Sequence, residues 1–118
     1  MASNYPKIWI NSKRRTIQQL ERFRMDVVEE VADALEVLYK KYHWDEAFLF
    51  GSITQKERFG SRSDIDVALS GLNTFDYYAF VGDLSELVNR QVDVILIEEC
   101  RFSKSIIEKG KKWIPKRR

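Results

Sequence analysis

Cysteine and histidine are almost missing from this chain, which has one of each, Cys100 and His43. A lone cysteine excludes an internal disulfide framework and a multi-cysteine zinc site, and a lone histidine excludes histidine-rich metal centres. A bound metal must therefore be held by oxygen. Long apolar runs are missing too. Stretches such as Ala47-Phe48-Leu49-Phe50 are far too short to cross a bilayer, and Met1-Ala2-Ser3-Asn4-Tyr5-Pro6 opens no secretory signal. A cytoplasmic protein with no membrane partner is expected. No internal repeat, low-complexity tract or linker interrupts the sequence.

What is present suits one folded domain spanning 1–118, with 44% hydrophobic, 13% aromatic and 32% charged residues. The net charge of +2 hides a partition. Residues 1–42 carry eight Lys/Arg and six Asp/Glu, residues 43–100 four and eleven, and residues 101–118 eight and one. An acidic middle is flanked by a basic tail. The small overall charge argues against a broad nucleic-acid-binding surface, although the tail alone has the charge to touch phosphate.

Apolar residues at Ile17, Leu20, Phe23, Val27, Val31, Leu35, Leu38 and Tyr42 step by three and four. That spacing predicts a long amphipathic helix over about 14–42, with Asn11-Ser12 as its polar start. Three β-like segments follow at 46–50, 64–69 and 92–97. Between the last two, Tyr78, Val81, Leu84 and Val88 mark a helix over 73–89, capped by Asn73 with Asp76 three residues on. A short helix over 103–109, stopped by Gly110, leads into the basic stretch 111–118. The expected architecture is α/β (α+β): a small mixed sheet with helices packed largely on one face, behind a long N-terminal amphipathic helix.

Asp64-Ile65-Asp66 opens the second strand. A period of two puts both carboxylates on one face, with Cα atoms roughly 6.5 Å apart. In Val92-Asp93-Val94-Ile95-Leu96-Ile97 a single carboxylate interrupts an apolar strand, which is costly unless that carboxylate is paired or bound to a cation. If the two strands are neighbours, three anions cluster, and a hard divalent cation, most simply Mg²⁺, relieves their repulsion. The first strand ends in Phe50-Gly51-Ser52. There glycine allows close backbone approach, the serine hydroxyl can donate to an anion, and a helix beginning at that point would offer free N–H groups to phosphate. A phosphate cradle beside a metal site suits nucleotidyl transfer.

Taken together, Phe50-Gly51-Ser52, then Ser63-Asp64-Ile65-Asp66-Val67, then Gln91-Val92-Asp93-Val94-Ile95 resemble the signature of the polymerase β-type nucleotidyltransferase superfamily. Within it the chain is most similar to the minimal nucleotidyltransferases, the MntA-like antitoxins paired with HEPN toxins. The likeness covers about 45–97. It departs in the loop 53–63, which is one residue longer than is usual there and carries Lys56-Glu57-Arg58-Phe59 in place of a small, glycine-containing stretch; insertion in a surface loop costs little.

The resemblance implies that Asp64 and Asp66 hold the metals, that Asp93 completes the site or acts as base, that Gly51 and Ser52 bind the β- and γ-phosphates, and that Ser63 assists. It implies a pair of Mg²⁺ ions, ATP as substrate, a catalytic core at 45–97, and a cognate HEPN-family toxin as partner. The activity implied is transfer of AMP from ATP to a tyrosine hydroxyl of that toxin, an RNase, which silences it. The alternatives are an antitoxin acting by contact alone and a nucleotidyltransferase acting on a small molecule such as an aminoglycoside. The lack of a second, acceptor-holding domain argues against the last.

Other residues read more plainly. Arg58, Arg62 and Lys56 are solvated loop cations within possible reach of a triphosphate; His43 is a surface residue and Cys100 an inert one. Tyr77-Tyr78 and the tryptophans are expected in the core, with Trp9 and Trp113 as candidate interface residues. The basic stretch 111–118 is a solvated end or a contact for an acidic partner or for RNA.

Overall fold

The computed structural model describes residues 7–56 and 58–116, with side chains from Thr16 onward. Helix α1 (Lys7–Leu38) is followed by β1 (Glu46–Phe50), a 3-10 turn (Gly51–Thr54), β2 (Ile65–Ser70), α2 (Tyr77–Val88), β3 (Val92–Leu96), α3 (Ser103–Lys109) and β4 (Lys111–Trp113). The four strands form one sheet in the order β3-β2-β1-β4. β1 runs antiparallel to both β2 and β4, and β2 runs parallel to β3.

Alternation along the strands sorts the two faces. Ala47, Leu49, Ile65, Val67, Leu69, Val92 and Val94 join Val27, Val31, Leu35 and Leu38 of α1 and Phe80, Leu84 and Val88 of α2 in the main core. Phe48 and Ala68 point the other way, against Ile106 of α3. The mixed sheet with its two longer helices on one face is as expected, and α3 alone takes the opposite face.

Helix α1 starts before Asn11-Ser12 and passes through them, so they are not its cap. Asn and Ser inside a helix cost at most about 0.7 kcal/mol each relative to alanine, too little to stop one. At the other end, residues 39–42 continue as turns, with the Tyr42 N–H on the Leu38 carbonyl at 2.9 Å. The apolar stripe is covered only where the sheet lies beneath it. From Val27 on it is buried, whereas Ile17 and Leu20 stay partly exposed, because a 32-residue helix is about 48 Å long and outruns strands of five or six residues.

The run-in to α2 is a 3-10 turn (Thr74–Asp76), and Asn73 does cap it by accepting from the Phe75 N–H at 2.9 Å. Gly110 ends α3 differently from a left-handed cap, since its φ is −74°. Glycine stands there because a Cβ would lie 2.5 Å from the Ile106 carbonyl oxygen and 3.0 Å from that of Leu49.

The basic stretch needs the largest correction. Its first three residues are β4, paired with Ala47, Phe48 and Leu49. Trp113 is buried and donates from its indole N–H to the Ala32 carbonyl at 3.1 Å, so it is a core residue and not an interface one. Lys112 pairs with Glu46 at 2.9 Å and Lys116 with Asp33 at 3.1 Å. These acidic partners belong to the chain itself. The side chain of Trp9 lies outside the described residues.

Candidate active site

Strand β2 delivers its carboxylates by the alternation that buries Ile65, Val67 and Leu69 against α1 and α2. Asp66 is thereby turned to the sheet's other face. In the parallel register Asp66 stands directly beside Asp93, about 4.8 Å away between strands, while Phe50 pairs with Asp66 on the other side. Asp64 lies one residue before β2, exposed, at the same end. The two strands are therefore neighbours, and the three aspartates of the sequence motif converge on one end of the sheet.

Burial and the neighbouring charges act together on Asp66. Burial first, then the negative charges of Asp93 and Asp64, push its carboxyl up to about 6. Gly51 closes against the same carboxylate. It sits at φ +76°, and a Cβ built there would collide with Asp66 Oδ2. Glycine satisfies both demands, the left-handed backbone and the missing side chain.

The segment after Gly51 is a single 3-10 turn, Gly51–Thr54. Ser52 lies half-buried in it, and the Thr54 hydroxyl donates back to the Gly51 carbonyl at 2.7 Å. Ser63 is engaged within its own loop, its hydroxyl oxygen accepting from the Gly60 N–H at 2.9 Å. Arg58, Arg62 and Lys56 are exposed. A small cleft of about 170 Å³ borders Phe50, Gly51, Thr54 and Gln55 and is walled on the far side by Lys109 of α3. Lys109 brings a cation to the glycine turn from far along the chain, and no sequence motif marks it.

Two arginines that the sequence did not single out hold the loops in place. Arg24 of α1, paired with Glu21 at 2.7 Å, donates to the Ile53 carbonyl at 2.8 Å and fixes the turn that carries Ser52. Arg90, between α2 and β3, donates to the Ser61 and Ser63 carbonyls at 3.0 and 3.3 Å. Its guanidinium also lies over the rings of Phe23 and Phe59, 5.2 and 5.4 Å from their centroids. Phe59, from the unusual part of the loop, is buried and stacks on Phe23. The insertion is thus anchored to the core by an aromatic residue, and Arg90 pins the strand entry that carries Asp64. Arg90→Met, which keeps bulk but removes the donors, is expected to destabilise the fold by about 1–2 kcal/mol and to accelerate amide hydrogen exchange at residues 60–64 at least tenfold. Unchanged exchange there would refute the pin.

Among the described residues no three Asp, Glu, His or Cys side chains are drawn together into a ready-made metal cage. Mg²⁺ rarely uses one; it is bound by one or two carboxylates completed by water and substrate phosphate oxygens. An oxygen-only donor set, with the Asp66 carboxylate disfavoured by burial and then by the charges of Asp93 and Asp64, fits a cation that arrives with the nucleotide.

A four-stranded mixed sheet of this topology, with aspartates on adjacent parallel strands and a glycine turn against them, defines a nucleotidyltransferase fold. The chain belongs to the polymerase beta nucleotidyltransferase family, whose sequence model matches residues 24–117. Solved structures share the fold. A toxin–antitoxin with AMP-PNP aligns with a TM-score of 0.61 at 18% identity, covering 73% of this chain and 74% of that one. A mutant of the MntA–HpeT toxin–antitoxin aligns at 0.58 and 17% identity, covering 73% and 74%. The MntA–HepT toxin–antitoxin aligns at 0.52 and 17%, covering 73% and 70%. No curated protein matches the chain. Among the described residues no helix is long and apolar enough to cross a membrane.

Proposed function

We propose that this chain is the antitoxin of a HEPN/MNT pair and transfers AMP from ATP to a tyrosine hydroxyl of its partner toxin. The observation that carries this reading is the register of Asp66 beside Asp93 with Gly51 closed on the Asp66 carboxylate. The toxin–antitoxin structures of the same fold, one with an ATP analogue, support it.

In this reading Asp64, Asp66 and Asp93 would hold Mg²⁺, which when bound would supply charge neutralisation for the triphosphate and the leaving pyrophosphate. Gly51 lets the backbone approach the β- and γ-phosphates, Ser52 donates its hydroxyl to them, and Ser63 assists through the loop it closes. The acceptor hydroxyl oxygen forms a bond to the α-phosphorus as the bond to the pyrophosphate oxygen breaks. The hydroxyl proton passes to Asp93, the exposed carboxylate at the start of β3.

The test combines the chain with the protein encoded beside it, ATP and Mg²⁺, followed by intact-mass measurement of the partner. An AMP adduct is expected with the wild type. Asp64→Ala and Asp93→Ala, both at exposed positions, are expected to lose roughly 10²–10³-fold in rate with little change in stability. Stoichiometric inhibition of the toxin with no adduct would establish antitoxin action by contact instead.

A further inference from the structure

β3 is an edge strand, and its free side opens onto a cavity of about 340 Å³. The cavity follows Val94, Ile95 and Leu96, the three residues after Asp93, a run of about 10 Å in strand geometry. Its opposite wall is the first turn of α2. There the Tyr77 hydroxyl donates to the Val94 carbonyl at 2.7 Å and satisfies part of the bare edge. Tyr78 packs edge-on against Tyr77 with ring centroids 5.2 Å apart, yet it is 84% exposed. Phe75, three residues earlier and next to the lining residue Thr74, is 93% exposed but does not itself line the cavity. The sequence reading placed both tyrosines in the core, but only Tyr77 touches it. Large aromatics left in water beside a cavity mark a surface that binds something.

The charges restrict what that is. Glu99 lines the cavity, and Asp93 stands just ahead of Val94. Both negative charges act on the Tyr77 phenol, which burial and these neighbours push up from its usual range. Among the described residues, no lysine or arginine lines the cavity. Phosphates, and therefore a nucleotide tail or an RNA strand, would be repelled. Aromatic faces framed by carboxylates attract lysine or arginine, through the ring quadrupole as well as by charge.

We propose that this groove seats an extended, cationic segment of the partner protein and that the segment runs along β3 with its acceptor hydroxyl delivered to Asp93. The inference rests on the transfer reading above and adds where and how the acceptor docks. The glycine turn and Lys109 lie on the far side of Asp66 from β3, so nucleotide and acceptor reach the carboxylates from opposite sides.

The experiment uses the full chain and two fluorescein-labelled synthetic peptides, one alternating lysine and valine around a single tyrosine and the other its glutamate counterpart. Anisotropy is expected to show binding of the lysine peptide alone, weakening with salt. Glu99→Lys is expected to weaken that binding about tenfold or more and Tyr78→Ala about threefold or more, with unchanged melting temperatures, since both side chains are exposed. Equal affinity for the two peptides, or unaltered affinity in both variants, overturns the groove. Intact-mass measurement of the lysine peptide after incubation with ATP and Mg²⁺ separates the two claims. Charge-selective binding that both variants weaken, without an AMP adduct, keeps the groove and removes the transfer reading. An adduct formed equally well by Glu99→Lys and Tyr78→Ala keeps the transfer and removes the groove.

Discussion

Asp66→Asn is expected to abolish nucleotidyl transfer while making the metal-free protein more stable. The carboxyl is pushed up to about 6 from 3.8 by burial and by Asp93 and Asp64, so at neutral pH the folded state holds an anion that is less favourable there than in the unfolded chain. Two pK units correspond to almost 3 kcal/mol in full. Asp66 is only partly buried, and water and salt screen its neighbours, which reduces the figure to about 1–2 kcal/mol. The sign follows from proton uptake. The folded state binds this proton more tightly than the unfolded chain, so the penalty is complete above pH 6, shrinks as pH falls, and is gone below about 4. Between pH 8 and pH 4 the difference in melting temperature between Asp66→Asn and wild type should therefore fall from roughly 4–8 °C towards zero. Added Mg²⁺ and ATP should raise the melting temperature of the wild type and leave the variant almost unmoved, with transfer reduced at least about 10³-fold. A variant no more stable than wild type at pH 8 would mean that burial and the neighbouring carboxylates do not destabilise the Asp66 anion.

Gly51→Ala should have a comparable effect through the backbone. A left-handed conformation costs an L-residue about 1–2 kcal/mol, and at φ +76° the new methyl also meets the Asp66 carboxylate. The expected loss of stability is about 2–4 kcal/mol, with transfer lost because Asp66 must move. A double-mutant cycle divides the two causes. If the collision is real, Gly51→Ala costs about 1–2 kcal/mol less in an Asp66→Ala background than in the wild type, whereas backbone strain alone gives no coupling. Additive free energies from denaturant unfolding would show that the methyl and the carboxylate never meet.

Both expectations depend on a site whose residues could be named in advance but whose arrangement could not. Asp64, Asp66 and Asp93 stand out because carboxylates in strands violate the rule that apolar runs stay apolar, and Gly51-Ser52 stands out as a strand terminus. Pairing of Asp66 with Asp93 required β2 and β3 to be parallel neighbours, which no local pattern encodes. Arg24, Arg90 and Lys109 escaped notice for a related reason. An arginine aimed at a carbonyl in a distant loop looks, in sequence, like any solvated arginine.

The errors have the same origin. The run Lys111-Lys112-Trp113 carries the charge of a solvated tail, and yet β1 has a second edge to satisfy and Ala32 offers a carbonyl to the Trp113 indole. Tyr78 is expected in the core, but in the first turn of α2 only Tyr77 packs against it, and Tyr78 is left 84% exposed.

By itself the sequence determined the class of fold, the order of its elements as far as α3 and the oxygen-only chemistry of the site, because apolar periodicity and residue type are local properties that short-range sterics and burial enforce. The tertiary structure decided the rest: the order of strands, the close approach and left-handed backbone that favour glycine at 51, the raised pKa of Asp66 and the groove on β3. Each of these depends on through-space distance between groups far apart in the chain, and electrostatic and steric energies follow that distance and not the separation in sequence.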